Sequence, residues 1–571
     1  MNYQYLQDVR RKIAYFSMEI GILQSIRTFS GGLGILAGDT IRSAADLEVP
    51  MVAVTLLYRK GYLHQQLDDS GWQHENPDDW KPEELLTEFP NRISLRVENR
   101  YVYVRAWRYD VVGVTGFKVP IFFLDSDLPE NSDFDRTLTH NLYGGDQFYR
   151  LAQEKILGIG GVRMLRNFGY SDIERYHMNE GHASLLTLEL LDQEVTRAGR
   201  NHIEPSDVDI VREKCVFTTH TPVAAGHDKF PLDLVDQVLK RKEISTMKDV
   251  FGTSDNMLNM THLAMNLSRY INGVAKKHGE VSRGMFPGYT VHSITNGVHA
   301  AYWLSPHIKK MFDDNFHEWQ KDNNELRFAL KIPREQMWEA HQAAKRDLIR
   351  TVKEMTGKDW DENVFTLGSA RRATPYKRGD LLFHDTDKLI QIAKKHGKIQ
   401  AVFAGKAHPK DEGGKSIIQR IHQATGLSDD SLSVVFLADY DIELAKIIIP
   451  GVDIWLNTPE PPLEASGTSG MKAAVNGVPS LSILDGWWIE GHVEGITGWA
   501  IGEDGHGKPQ APDTERDANS LYSKLENQIL PLYYKEKDRY LHVMRNSIAL
   551  NGSFFNTQRM VQEYVLKAYF C

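Results

Sequence analysis

The sequence predicts an α/β protein built from two doubly wound parallel sheets that face one another across a cleft. Three observations carry that expectation. The chain has 571 residues, more than a single hydrophobic core serves, so two large domains of roughly 250–300 residues are expected. Short apolar, β-branched runs alternate with longer amphipathic stretches, the pattern of repeated strand–helix units. The unusual polar residues follow directly after those runs, where open α/β sheets bind their ligands.

In the first half, residues 49–58 (VPMVAVTLLY) and 215–219 (CVFTT) read as buried strands, and 153–166 carries Ile156, Ile159 and Leu165 at helical spacing. The polar turn Ser293-Ile294-Thr295-Asn296-Gly297-Val298 reads as a hinge, and long helices are expected over 306–356. Strands follow at 364–368, 400–405, 433–437, 453–456 and 481–484, each but the last leading into a turn and a helical stretch. Residues 554–570 read as a helix that packs back on the first domain. The expected division is 1–297, 298–550 and 551–571.

Composition narrows the class. A net charge of −9 gives no basic face for nucleic acid, while a local cationic pocket for an anion stays open. The only cysteines are Cys215 and Cys571, so a disulfide framework is not expected and a reducing compartment fits. Residues 1–8 lack a charged-then-apolar leader, and no uncharged apolar run approaches the ~20 residues of a membrane span. A cytoplasmic protein is expected.

Lys472 carries the most chemistry. It lies in Glu464-Ala465-Ser466-Gly467-Thr468-Ser469-Gly470-Met471-Lys472-Ala473-Ala474-Val475, with apolar neighbours that disfavour its charged form. A desolvated lysine amine is a nucleophile able to condense with an aldehyde. Glu464 and Ser466 suit hydroxyl groups, and Gly467 and Gly470 allow close backbone approach. Arg371, Arg372, Lys377 and Arg378 supply four cations within eight residues after a strand, pointing into the cleft and suited to phosphate. Gly31 and Gly32 precede a helical run, an arrangement that exposes amides to an anion. Trp487 and Trp488 suit either a sugar face or the core. His182 and His220 lack metal-ligand spacing, and no metal is expected.

Taken in order, these segments resemble the glycogen and α-glucan (maltodextrin) phosphorylases, in particular the short bacterial type. Glu464–Lys472 looks like that family's E-A-S-G-T-x-x-M-K motif. Further anchors are Tyr376-Lys377-Arg378, Gly31-Gly32-Leu33-Gly34, Gly71-Trp72-Gln73 with Asp78-Asp79-Trp80, Asn272-Gly273-Val274-Ala275, Thr295-Asn296-Gly297 and Gly405-Lys406-Ala407. The resemblance implies the glycosyltransferase B fold, two Rossmann-like domains around a cleft. It implies reversible phosphorolysis of the non-reducing end of an α-1,4-glucan, glycogen or maltodextrin, by orthophosphate to α-D-glucose 1-phosphate, with retention.

The implied cofactor is pyridoxal 5′-phosphate, held covalently by Lys472 and contacted by Arg371, Tyr440, Trp303, Gly31 and Thr468. Its phosphate would exchange a proton with the substrate phosphate, which Arg372, Lys377 and the Gly31–Gly32 amides would hold. Asn296, Glu464, Ser466, Gly467 and the His220 region would hold glucose, with the His220 carbonyl facing the developing cation. A homodimer is compatible with the resemblance, which implies neither nucleic-acid nor membrane partners. The chain reaches Tyr15-Phe16-Ser17-Met18-Glu19 without the long extension that carries control in animal enzymes, so that control is not carried over. A nucleotide-sugar glycogen synthase and a non-catalytic glucan-binding protein are the competing readings.

Overall fold

The computed structural model describes residues 10–223, 226–427, 429–502 and 511–570. Residues 1–8 and Cys571, read above, lie outside the described residues. The chain is a mixed α/β protein with two large sheets. In chain order the first half holds β1 (Ile13–Ser17), α1 (Gly32–Asp46), β2 (Met51–Leu56) and a hairpin of β3 (His64–Leu67) and β4 (Gln73–Asn76). Then follow β5 (Thr87–Val97), β6 (Arg100–Val112), β7 (Lys118–Asp125), β8 (Arg175–Asn179) and β9 (Cys215–Thr218). A small sheet of β10 (Lys229–Pro231), β11 (Thr253–Ser254) and β12 (Met257–Asn259) precedes β13 (Tyr270–Gly273) and β14 (His292–Ser293).

The nine-stranded sheet runs β14-β13-β9-β8-β1-β2-β7-β6-β5. It is parallel from β14 to β7 and antiparallel across β7, β6 and β5. The antiparallel edge has no counterpart in the sequence reading. Its signature is alternation: Val102, Val104 and Ala106 face the core while Tyr101 and Tyr103 face solvent.

The second sheet comprises β15 (Phe365–Ala370), β16 (Ile399–Ala404), β17 (Leu432–Leu437), β18 (Ile454–Asn457), β19 (Ser480–Ile483) and β20 (Gly498–Ile501). Its order is β17-β16-β15-β18-β19-β20, with every pair parallel. Nearly every residue of these strands is buried, as expected of strands covered by helices on both faces. Residues 306–356 form two helices, Pro306–Asn315 and Arg334–Thr356, split by a 3₁₀ stretch at Asn323–Lys331.

The carboxyl-terminal helix Thr557–Tyr564 lies against α1, where Ser43 Oγ and Thr557 Oγ1 are 2.6 Å apart. Its Met560, Val561 and Tyr564 join the apolar cluster of Tyr15, Leu36 and Ile41. The return passes the hinge: Val298 N–H donates to Phe555 O at 3.1 Å, and Thr557 N–H to Val298 O at 3.0 Å. No helix among the described residues is long and apolar enough to cross a membrane.

One buried ion pair ties the second core together. The Lys345 and Asp453 side chains are 0% exposed. Lys345 Nζ donates to Asp453 Oδ2 at 2.6 Å, Val364 O at 2.6 Å and Tyr533 Oη at 3.2 Å. Asp453 also accepts from His341 Nε2 at 2.9 Å and the Thr366 amide at 2.7 Å. Removing one partner strands the other charge in apolar surroundings. Lys345→Met is therefore expected to destabilise the protein by about 3–5 kcal/mol, seen as an earlier urea transition; an unchanged midpoint would show that Asp453 takes up a proton at little cost.

Candidate active site

Lys472 lies on the helix Thr468–Val475, which opens at Gly467 with φ 85°. That left-handed value needs glycine, and a Cβ there would meet Glu464 Cγ at 3.3 Å. The Lys472 side chain is buried, with the residue 8% exposed, and Nζ sits 3.5 Å from the centroid of the Trp303 ring. Trp303 Nε1 in turn donates to Asp39 Oδ2 of α1 at 2.8 Å. Burial lowers the amine's pKa to about 8, against the raising pull of Asp39. The amine makes no hydrogen bond to any described residue.

The cation loop follows β15. Arg371 Nη2 pairs with Glu464 Oε2. Lys377 Nζ lies 3.1 Å from both Glu464 oxygens. Burial, then Arg371, brings Lys377 down to about 7, with Glu464 opposing. Burial works against the Glu464 carboxylate, yet Lys377 and Arg371 outweigh it and hold it at about 2. Arg372 meets solvent while protein groups from both halves surround it. Burial opposes its charge, but Tyr376, Tyr62, Glu19 and Tyr143 overcome that and raise its pKa.

Arg378 is a correction to the expected fourth cation of this group. Its φ of 42° turns the side chain away, where Nε donates to Thr458 O at 3.0 Å and Nη2 pairs with Asp517 Oδ2 at 2.9 Å. Trp487 and Trp488 are core residues, 2% and 1% exposed. They offer no sugar platform; the Trp487 indole fills the space that a Cβ at Gly470 would need, 2.7 Å away.

The glycine loop comes from the other half. A Cβ at Gly31 or Gly32 would meet nothing within 4 Å, so the start of α1 opens onto free space. Gly31 is the N-cap and no side chain caps the helix, which leaves first-turn amides and the positive helix end for an anion. Beneath the loop, Glu19 Oε2 accepts from Ser30 N at 2.6 Å and Gly31 N at 3.2 Å, and Tyr143 Oη donates to Oε1 at 2.9 Å.

His220 follows β9. Its amide donates to Glu180 Oε2 at 2.7 Å, and its Nε2 lies 2.6 Å from Asn179 Oδ1. Burial, then the neighbouring histidines, lowers the ring to about 3, so it is neutral. Asn296 Oδ1, Ser466 Oγ and Arg371 Nε and Nη1 are buried without partners. Their hydrogen-bonding capacity is left unused by the fold. Arg559 of the carboxyl-terminal helix fixes the Asn296 loop by donating to Thr295 O at 2.7 Å and Asn296 O at 3.0 Å.

Tyr440 and Thr468 are half-buried, Tyr440 at the end of the strand-turn after β17 and Thr468 at the helix start. His182, the other histidine singled out, pairs with Asp228 Oδ2 at 3.4 Å. Glu19, Asp39 and Asp485 are site residues that linear spacing does not reveal. Burial raises Asp485 to about 7 although it accepts the Glu464 and Gly486 amides. A cavity of ≈ 670 Å³ lies elsewhere, on the Pro375, Arg378, Phe383 and Arg420 side of the cation loop. Chemistry rather than volume therefore locates the site.

Fold and site define a mixed α/β protein with a buried amine and a cationic loop that follows a strand of its second sheet. Residues 241–496 match the carbohydrate phosphorylase family model. The chain is 39% identical to the maltodextrin phosphorylase of Thermococcus litoralis over 98% of its own length and 70% of that protein. It is 36% identical to the glycogen phosphorylase of Mycobacterium tuberculosis, over 97% of the chain and 70% of the relative. It is 33% identical to that of Aquifex aeolicus, over 99% and 87%. The chain belongs to the carbohydrate phosphorylase family, and as such it is a glycosyltransferase.

The amine's lowered pKa has a measurable consequence. A group with pKa about 8 is ~10% unprotonated at pH 7 and ~50% at pH 8. Borohydride-trapped addition of an aldehyde at Lys472, followed by peptide mass, should rise about fivefold between those values and level off above pH 9. A yield still climbing at pH 10 would return Lys472 to the range of an ordinary lysine.

Proposed function

We propose that the chain is an α-glucan phosphorylase that catalyses reversible phosphorolysis at the non-reducing end of α-1,4-glucans, glycogen or maltodextrin. Orthophosphate is the second substrate and α-D-glucose 1-phosphate, of retained configuration, the product. The observation that supports this reading is the desolvated Lys472 amine, without a hydrogen bond to a described residue, in a chain that also holds a solvent-exposed Arg372 and open first-turn amides after Gly31.

These residues fit pyridoxal 5′-phosphate. The amine is free to bond to the aldehyde, and unsatisfied nitrogens of Arg371 are available to an anion. Tyr440, Trp303, Thr468 and Gly31 complete the proposed cofactor contacts. When bound, the cofactor supplies a phosphate whose second ionisation, near pH 6, suits proton exchange at neutral pH.

Arg372, Lys377 and the amides after Gly31 and Gly32 hold the substrate phosphate and offset the repulsion between two phosphates. Asn296, Ser466, Gly467 and Glu464 take the glucose hydroxyls. The His220 ring, neutral and tied to Asn179, holds the backbone so that its carbonyl dipole faces positive charge developing on the sugar. Residues 1–297 and 298–550 form the two Rossmann-like domains of the glycosyltransferase B arrangement, and 551–571 returns to the first. A nucleotide-sugar synthase has no use for the free amine, and a binding protein none for the cations.

Lys472→Ala is expected to lose cofactor absorbance and phosphorolysis together; full activity in the variant would defeat the assignment. Arg372→Ala or Lys377→Ala is expected to raise the phosphate KM by about 10–100-fold, the worth of a charge-assisted hydrogen bond, with a smaller effect on the glucan KM. The opposite ranking, from steady-state kinetics with each substrate varied in turn, would take those cations out of the phosphate site.

A further inference from the structure

The Gly71-Trp72-Gln73 segment plays no part in the chemistry above, and neither does Gln65. Both glutamines sit on the β3–β4 hairpin, which pairs antiparallel and belongs to neither large sheet. Their residues are 2% and 1% exposed, far more buried than is usual for a primary amide. Their amides are spent on the other half of the molecule. Gln73 Nε2 donates to Ala407 O at 2.9 Å, and its Oε1 accepts from Ala407 N at 2.9 Å. One side chain thus satisfies both backbone groups of one residue, as a paired strand does. Gln65 Nε2 donates to Gly405 O at 2.8 Å, and its Oε1 accepts from Asp439 N at 2.7 Å. The two amides also bond each other, Gln65 Nε2 to Gln73 Oε1 at 2.8 Å.

The segment they grip carries the cation loop. Ala373 N donates to Lys406 O at 2.9 Å, and Arg371 N to Ala404 O at 3.2 Å. Ala373 and Ala407 pair as an isolated parallel bridge. At Gly405 a Cβ would lie 2.1 Å from Arg371 O, so the two segments touch backbone to backbone. On the hairpin's side, Tyr62 lies close enough to Arg372 to act on its charge, and its ring centroid is 6.2 Å from that of His408.

We propose that Gln65 and Gln73 are positioning residues that lock the hairpin to residues 405–407 and so set Arg372 at working distance from the glycine loop. This rests on the reading of Arg372 as a phosphate ligand. Glutamine suits the task because it donates and accepts without a net charge; a carboxylate or ammonium at this place would compete for the cations or for the anion they hold.

The test is Gln73→Leu in the full-length, cofactor-loaded enzyme, with phosphate and maltodextrin varied separately. The phosphate KM should rise about tenfold, the glucan KM should stay within about twofold, and cofactor absorbance should match the parent protein. Gln65→Met, which leaves both Gln73–Ala407 bonds in place, should move the phosphate KM in the same direction by less, and it serves if the leucine variant does not fold. Equal rises in both KM values, or a lower thermal midpoint with both KM values unchanged, would overturn the inference and leave the glutamines as fold supports. A parent enzyme that phosphate cannot saturate would overturn the functional reading beneath it as well.

Discussion

The whole arrangement depends on one uncompensated desolvation. Lys472 is taken out of water and given an indole face rather than a carboxylate. A cation–π contact is worth about 0.5–2 kcal/mol, too little to repay the loss of hydration, so the amine gives up its proton more readily than a lysine in water. Trp303 stays in place because Asp39 anchors its N–H. Asp39 belongs to α1, the helix whose first turn is the open glycine loop. The carboxylate that holds the indole over the amine and the open first-turn amides are therefore parts of one helix.

The same economy governs the cations. The chain is acidic overall, so positive potential must be made locally and kept from collapsing onto the nearest carboxylate. Glu464 takes up Arg371 and Lys377, while Glu19 is the one carboxylate among the groups that favour the Arg372 charge, the others being phenols. Phenols are weak competitors: Tyr376 is pushed up to about 12, first by burial and then by Glu464, and stays neutral. Arg372 thus remains charged, wetted and available, which a direct ion pair would prevent.

What could be read from the residues was what local chemistry determines. The strands of the second sheet were legible because each is a short apolar run, and Lys472, Arg372 and the glycine loop because their neighbours along the chain set their character. Arg378 was not, since only a left-handed backbone at that residue separates it from Lys377. The tryptophan pair could be core or platform until tertiary neighbours were known. Asp39 escaped because its partner Trp303 lies 264 positions away, and the bond from Tyr143 to Glu19 because it spans 124. Spacing rules see helix faces and strand faces; they do not see a bond between two folded halves.

The contrast between the protein's two buried lysines shows what distinguishes a site from a core. Lys345 has three acceptors within hydrogen-bond range, and its aspartate is bonded again by a histidine and an amide. Every charge there is answered, so the network can only stabilise or break. Lys472, 8% exposed against 0% for the Lys345 side chain, makes no such bond to a described residue, and Asn296 and Ser466 hold oxygens with no partner. Burial alone does not mark function, because both lysines are buried. Among the buried groups whose bonding capacity the fold leaves unused, Asn296, Ser466 and Arg371 stand on the segments that carry the proposed site.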